Sequence, residues 1–223
     1  MSTAIEVTER RVPFCAEMIL ALKDNKSETR RLVRPQPIVL PNGNMSWQHG
    51  ETHFGGDPER VKQAIIEHCP YGQPGDAILA TETWRICSYD NIKGALGAVK
   101  VEYRVDGGVS PWIDIATPAH VRALDRYGNG DYSWHPARYI PKEFSRFRMP
   151  LTSVRVERLQ AITFEGCVAE GWQEGVCEPI TGDAPVMDAR VWYMDLWDRL
   201  HPECPWESNP WVYVLGFKKV EAI

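Results

Sequence analysis

The sequence predicts a mixed α+β protein built from short strands and long loops, and three observations carry that reading. Seventeen glycines and seventeen prolines in 223 residues supply many turn signals. Residues 98–105 (AVKVEYRV) alternate apolar and polar side chains between glycines, as a half-buried strand does. Ala189 to Leu200 (ARVWYMDLWDRL) instead spaces Val191, Met194, Leu196, Trp197 and Leu200 near the helical period. Hydrophobic residues make up 43% and charged residues 25%, enough for a packed core and far from a disordered composition.

From the start, Val12–Lys23 (VPFCAEMILALK) opens extended and then predicts a short amphipathic helix that ends at Asp24-Asn25, residues that tolerate a left-handed terminus. Thr29–Val33 leaves as a strand, and Arg34-Pro35-Gln36-Pro37 keeps it extended. Residues 38–68 hold two Gly-rich turns and then a helix over Pro58–Glu67. The Pro74-Gly75-Asp76 turn feeds an apolar run, Ile78–Ala80, expected as a buried strand. A helix is expected over Pro118–Tyr127 and a long strand in LTSVRVERLQAIT. Thr163 is placed to cap a short helix reaching about Glu170. WVYVLGFKKV, Trp211–Val220, is the last expected strand.

The formal net charge is -5, which excludes a broad basic face for duplex DNA but leaves room for local basic patches. Lys23–Arg34 (KDNKSETRRLVR) is such a patch, with Lys23, Lys26, Arg30, Arg31 and Arg34 gathered around Thr29. Either it binds an anionic or polar ligand, or Glu28 and the arginines form surface pairs. Lys26 and Thr29 stand three apart, so Lys26 is a candidate base and Thr29 a candidate nucleophile. Glu82, at the end of the apolar strand, is a candidate acid/base, or else a structural partner of Arg31 or Arg146.

A second basic and aromatic segment, WHPARYIPKEFSRFRM, brings Trp134, Arg138, Lys142, Ser145, Arg146 and Arg148. Trp84 and Trp134 are candidates to stack on an unpaired base, with core burial as the alternative. The six cysteines form no C-x-x-C pair, and His49, His53 and His68 lack a third ligand at a metal-binding interval. No phosphate-binding loop, nucleophile elbow or dinucleotide fingerprint occurs, so no cofactor is expected. The charged N-terminus and the short aliphatic patch at Met18–Leu22 predict a cytoplasmic protein with no membrane partner.

Four stretches resemble the ASCH domains, a branch of the PUA-like superfamily, and especially its phage and prophage members. They are PFCAEMILALKDNKSETRRLVRPQP, CPYGQPGDAILATETW, WHPARYIPKEFSRFRMPLTSVRVERLQAIT and LWDRLHP with NPWVYVLGFKKV. Lys26, Thr29 and Arg31 fill the K, T and R positions of a motif resembling G-x-K-x-x-[TE]-x-R, while Asp24 replaces its glycine. The resemblance implies a single PUA-like small β-barrel with flanking helices, an insertion at about 38–68 and a helical elaboration at about 163–202. It also implies a cleft for RNA or a nucleoside or nucleotide. The two basic segments, converging in an acidic chain, are expected to make that cleft basic, with Lys26, Arg30, Arg31 and Arg146 meeting phosphate or base edges and Arg138 a further ligand contact. Some members resemble ribonucleases, and others are amidohydrolases on N4-acylated cytidine. Lys26, Thr29 and Glu82 are the expected counterparts of the amidohydrolases' lysine, threonine and glutamate. A non-enzymatic accessory protein with a protein partner is the remaining expectation.

Overall fold

The computed structural model describes residues 7–92, 95–115, 121–122, 132–173 and 185–218. In chain order they form β1 (Glu9–Pro13), α1 (Ala16–Asp24), β2 (Glu28–Leu32), the two-residue β3 (Ile38–Val39), β4 (Met45–His49), β5 (Thr52–Gly56), α2 (Pro58–Glu67) and β6 (Ala77–Thr81). There follow β7 (Trp84–Ile92), β8 (Ala95–Tyr103), β9 (Ile113–Asp114), β10 (Phe147–Arg158), α3 (Phe164–Ala169), α4 (Pro185–Leu200) and β11 (Trp211–Phe217). Contacts group the chain into two compact units, each drawn from separate stretches of sequence. One takes the N-terminal residues up to Leu20 and Ala77–Met149; the other takes Ala21–Asp76 and Pro150–Lys219.

In the first unit β1 pairs in parallel with β6, register Val12 to Ala80. All five residues of β6 are buried, in keeping with a sequence that is apolar from Ala77 to Ala80 rather than alternating and ends in the buried Thr81. The antiparallel β7-β8-β9 meander does alternate. Val99, Val101 and Tyr103 of β8 turn inward to join Trp84, Ile86, Ile140 and Phe144 in one core, while Lys100 and Glu102 turn outward.

In the second unit β11 lies between β2 and β10, antiparallel to both, and its seven residues are all buried. The stretch expected as an insertion folds as an antiparallel β3-β4-β5 sheet followed by α2. Helix α2 starts because the Asp57 side chain accepts from the N–H groups of Glu59 and Arg60 and Pro58 occupies the first turn; Val61, Ala64 and Ile65 then make its buried stripe. Thr163 caps α3 as expected, accepting from the Gly166 N–H at 3.2 Å.

The mixed α+β class therefore holds. Among the described residues the sheets are open rather than closed into a barrel: each runs linearly, and β3, β5 and β9 each have a neighbour on one side. Apart from 121–122, the helix expected over Pro118–Tyr127 falls outside the described residues.

Candidate functional site

Lys26 sits in the turn between α1 and β2, fixed by its own N–H donating to Ala21 O (3.0 Å) and by Ser27 N–H donating to Ala169 O (2.8 Å). These bonds turn Lys26 inward. Its Nζ donates to the Glu170 carbonyl at 2.7 Å and to Glu170 Oε2 at 2.5 Å, with both side chains wholly buried. Glu170 closes α3, and the chain then turns through Gly171 at φ +111°, where a side chain would strike Ala21.

Arg30 completes the cluster from β2. Its Nε and Nη2 donate to Glu157 Oε1 (3.2 and 2.9 Å) and its Nη1 to Glu170 Oε1 (3.3 Å). Gly166 has no Cβ where one would come within 3.0 Å of Arg30 Nη2, so α3 can approach β2 closely. Tyr193 Oη donates to the same Glu170 oxygen at 3.3 Å. Burial by itself would raise the Glu170 carboxyl, but Lys26 and Arg30 outweigh it and hold the group below its ordinary value. Burial, and then the Glu170 charge, push the Tyr193 phenol well up. Thr29 Oγ1 is buried and has no hydrogen-bond partner among the described residues.

The basic stretch is thus not an open basic surface. Lys26 and Arg30 are consumed by Glu170 and Glu157, Arg31 is half-buried with Tyr71 and His201 in electrostatic reach, and Arg34 lies exposed beside Glu203 (2.7 Å). An ammonium that donates to an ionised carboxylate is not a base waiting for a proton.

Glu82 belongs to the other unit and has a different partner. Arg146 grips it with two parallel bonds, Nε to Oε1 at 2.7 Å and Nη2 to Oε2 at 2.8 Å, and uses Nη1 on Asp106 Oδ2 at 3.0 Å. The guanidinium lies over the rings of Tyr103 (4.3 Å) and Phe147 (5.0 Å). At Gly108 a Cβ would fall 2.8 Å from Arg146 Nη1 and 2.9 Å from Asp106 Oδ1, so a larger residue there would push on these side-chain ends, while the backbone of the turn takes its positive φ at Gly107 (+65°). Burial lowers the Arg146 affinity for its proton, yet Glu82 and Asp106 raise it overall. Tyr103 is pushed up by burial and donates to Phe144 O at 2.8 Å.

Arg146 also lines a cavity of about 490 Å³ within this unit, together with Tyr103, Ser110, Trp112, Lys142 and Arg148. Glu9 stands at the same opening, 2.9 Å from Arg148 and 3.8 Å from Lys142. Trp112 is 47% exposed, with Lys100 Nζ 4.8 Å from its ring.

Of the two tryptophans expected to stack, Trp84 is fully buried, with His135 and Phe144 packed on its ring at 5.1 and 5.6 Å, and so offers no platform. Trp134 is half-buried beneath the guanidiniums of Arg85 (4.5 Å) and Arg104 (6.0 Å). Arg138 is exposed, 4.6 Å over the Tyr139 ring.

Sequence reasoning missed Glu170, Glu157 and Tyr193 around Lys26 and Arg30, and Tyr103 and Trp112 at the cavity. The Glu170-Gly171 pair is a legible helix end, but nothing local couples it to Lys26, 144 residues away. Among the described residues no group of three or more His, Cys, Asp and Glu side chains is placed to hold a metal ion. In the same residues no helix is long and apolar enough to cross a membrane. The chain matches no family model, no curated protein and no solved structure with which it was compared.

Proposed function

We propose that the protein binds a nucleotide or nucleoside, as a relative of the ASCH domains with their barrel opened, and that the cavity beside Arg146 takes the base. The cavity carries this reading. Its volume of about 490 Å³ is in the range of small-molecule sites, and its wall combines Tyr103 and Trp112 with the Arg146, Lys142 and Arg148 cations. Carboxylates already neutralise much of that charge: Glu82 and Asp106 hold Arg146, and Glu9 holds Arg148 and Lys142. Such a wall suits a flat, largely neutral ring with one anionic group more than it suits a bare polyanion. The four family-like stretches add support, since ASCH domains are expected to take RNA or nucleosides. Hydrolysis of N4-acylated cytidine by Lys26, Thr29 and Glu82 is not part of this reading, because Lys26 and Glu82 each place their charge on another partner, Glu170 and Arg146.

Titration with the four ribonucleoside 5′-monophosphates, followed by calorimetry, tests the proposal. At least one is expected to bind, with Trp112→Ala weakening it about tenfold or more, as the loss of a stacked aromatic does. Absence of heat with all four at millimolar concentration sinks the reading.

A further inference from the structure

We infer that the mouth of the cavity is an oxyanion subsite whose resident occupant is the protein's own Glu9 carboxylate, which a ligand's phosphate or carboxylate has to displace. The inference rests on the reading of the cavity as a ligand site, not on the ligand being a nucleotide, and adds a competitor built into the chain. Three cations line the cavity, and they are not held alike. Each of the three guanidinium nitrogens of Arg146 is engaged by a carboxylate, Nε and Nη2 by Glu82 and Nη1 by Asp106. That leaves Arg146 as wall for the ligand's body rather than as partner for a further anion. Arg148 donates to Glu9 Oε1 through Nε at 2.9 Å, and its two terminal nitrogens donate no hydrogen bond among the described residues. Lys142 Nζ stands 3.8 Å from the other Glu9 oxygen, too far for a hydrogen bond, and donates none among the described residues. The donors on offer at this opening are therefore those of Arg148 and Lys142, and the carboxylate between them is Glu9.

Burial decides which pair yields. The side chains of Glu9, Arg148 and Lys142 are 29, 32 and 61% exposed, against 1% for Glu82. Exposed pairs hold weakly because water solvates each partner when they part, so Glu9 can leave where Glu82 cannot. The Glu9 backbone is pinned in β1 opposite Ala77, so the strand stays in register and the side chain alone turns out to solvent. Two cations converging on one carboxylate match the oxygens of an incoming phosphate or carboxylate, and Arg148 can give it two parallel bonds where Glu9 now receives one. A tethered carboxylate competes at a fixed effective concentration, so the subsite excludes weak anions and admits a ligand that also fills the cavity behind it. Tyr103 and Trp112 supply that second contact. Glu143 lines the same cavity but pairs with neither cation among the described residues, so it adds charge without competing.

The test uses the full chain with inorganic phosphate, uridine and uridine 5′-monophosphate, titrated by calorimetry. Glu9→Gln, which keeps the shape and removes the charge, is expected to tighten phosphate and the monophosphate about fivefold, the size of an exposed ion pair. Uridine, which carries no anion, should gain far less. Glu9→Asp, whose shorter side chain reaches the cations less well, should fall between. Arg148→Ala should weaken the monophosphate about tenfold, alone and combined with Glu9→Gln, as the loss of a charge-assisted hydrogen bond does. The thermal midpoint of each variant reports its folding. An equal gain in Glu143→Gln overturns the inference, because it makes Glu9 one more negative charge. Phosphate that Glu9→Gln binds no better than the unaltered protein, or not at all, overturns it too. Monophosphate binding that Glu9→Gln leaves unchanged removes the subsite and leaves the nucleotide reading standing. Tightened phosphate, without binding of uridine or its monophosphate, keeps the subsite and removes the nucleotide.

Discussion

Two ion clusters in this protein use the same chemistry in opposite settings. In one unit, Lys26 and Arg30 surround Glu170, and all three side chains are at most 1% exposed. In the other, Arg146 holds Glu82 and Asp106 and still faces a cavity, with its side chain 10% and Asp106 13% exposed. Total burial makes the first cluster a structural joint, because no solute reaches it and each charge depends on the others for solvation. The second has its guanidinium at an opening. A residue pattern that looks functional by charge is therefore sorted by access to solvent.

The largest expected effect is at Glu170. Glu170→Gln leaves the Lys26 ammonium and the Arg30 guanidinium with a neutral partner in a dry site, and the loss should be about 3–5 kcal/mol in denaturant unfolding. Acid should expose the same cluster. Since the folded Glu170 carboxyl is held below 4.5, the unfolded chain binds its proton first as pH drops, so the stabilisation is complete above about 4.5 and disappears as pH falls toward the depressed folded value. Stability measured against pH should be flatter below 4.5 in Glu170→Gln than in the unaltered protein. Equal slopes would remove Glu170 from the cluster's energetics.

Next comes Arg146→Lys, which keeps the charge and gives up the two parallel bonds to Glu82. About 2 kcal/mol of stability should go with hydrogen bonds to charged groups, and nucleotide affinity should fall as well. A loss of stability with affinity intact would reduce the second cluster to a structural joint like the first. Gly171→Ala should cost about 1–3 kcal/mol from backbone strain at φ +111°, with nucleotide affinity unchanged, because it acts on the buried cluster alone. Smallest is Trp134→Ala, where a half-buried indole loses its contacts with Arg85 and Arg104, which should cost about 1 kcal/mol of stability.

How much of this was legible depends on the range of the signal. Alternation in Ala98–Val105, the apolar run before Glu82 and the Thr163 cap are short-range patterns, and β8, β6 and α3 follow them closely. Arg146 as a partner for Glu82 was one of two readings of that carboxylate, since a strand-end acid and a basic segment are both visible. The Lys26 environment was not legible. Periodicity places residues on faces, but pairing Lys26 with Glu170 depends on how α3 comes to β2, which Gly166 and Gly171 permit and no local pattern announces. The open sheets likewise follow from which strands meet, and the spacing of strands along the chain carries little of that.

The parallel pairing of β1 with β6 has a consequence for how the chain folds. Glu9 meets Ala77, and between them runs the whole of the other unit's first stretch, itself waiting for β11 to pair with β2. On the ribosome, neither unit has all its strands when its first strands emerge. Contacts this distant in sequence close slowly, so β1 and β2 spend the wait with unsatisfied edges, the condition under which a nascent chain depends on chaperones.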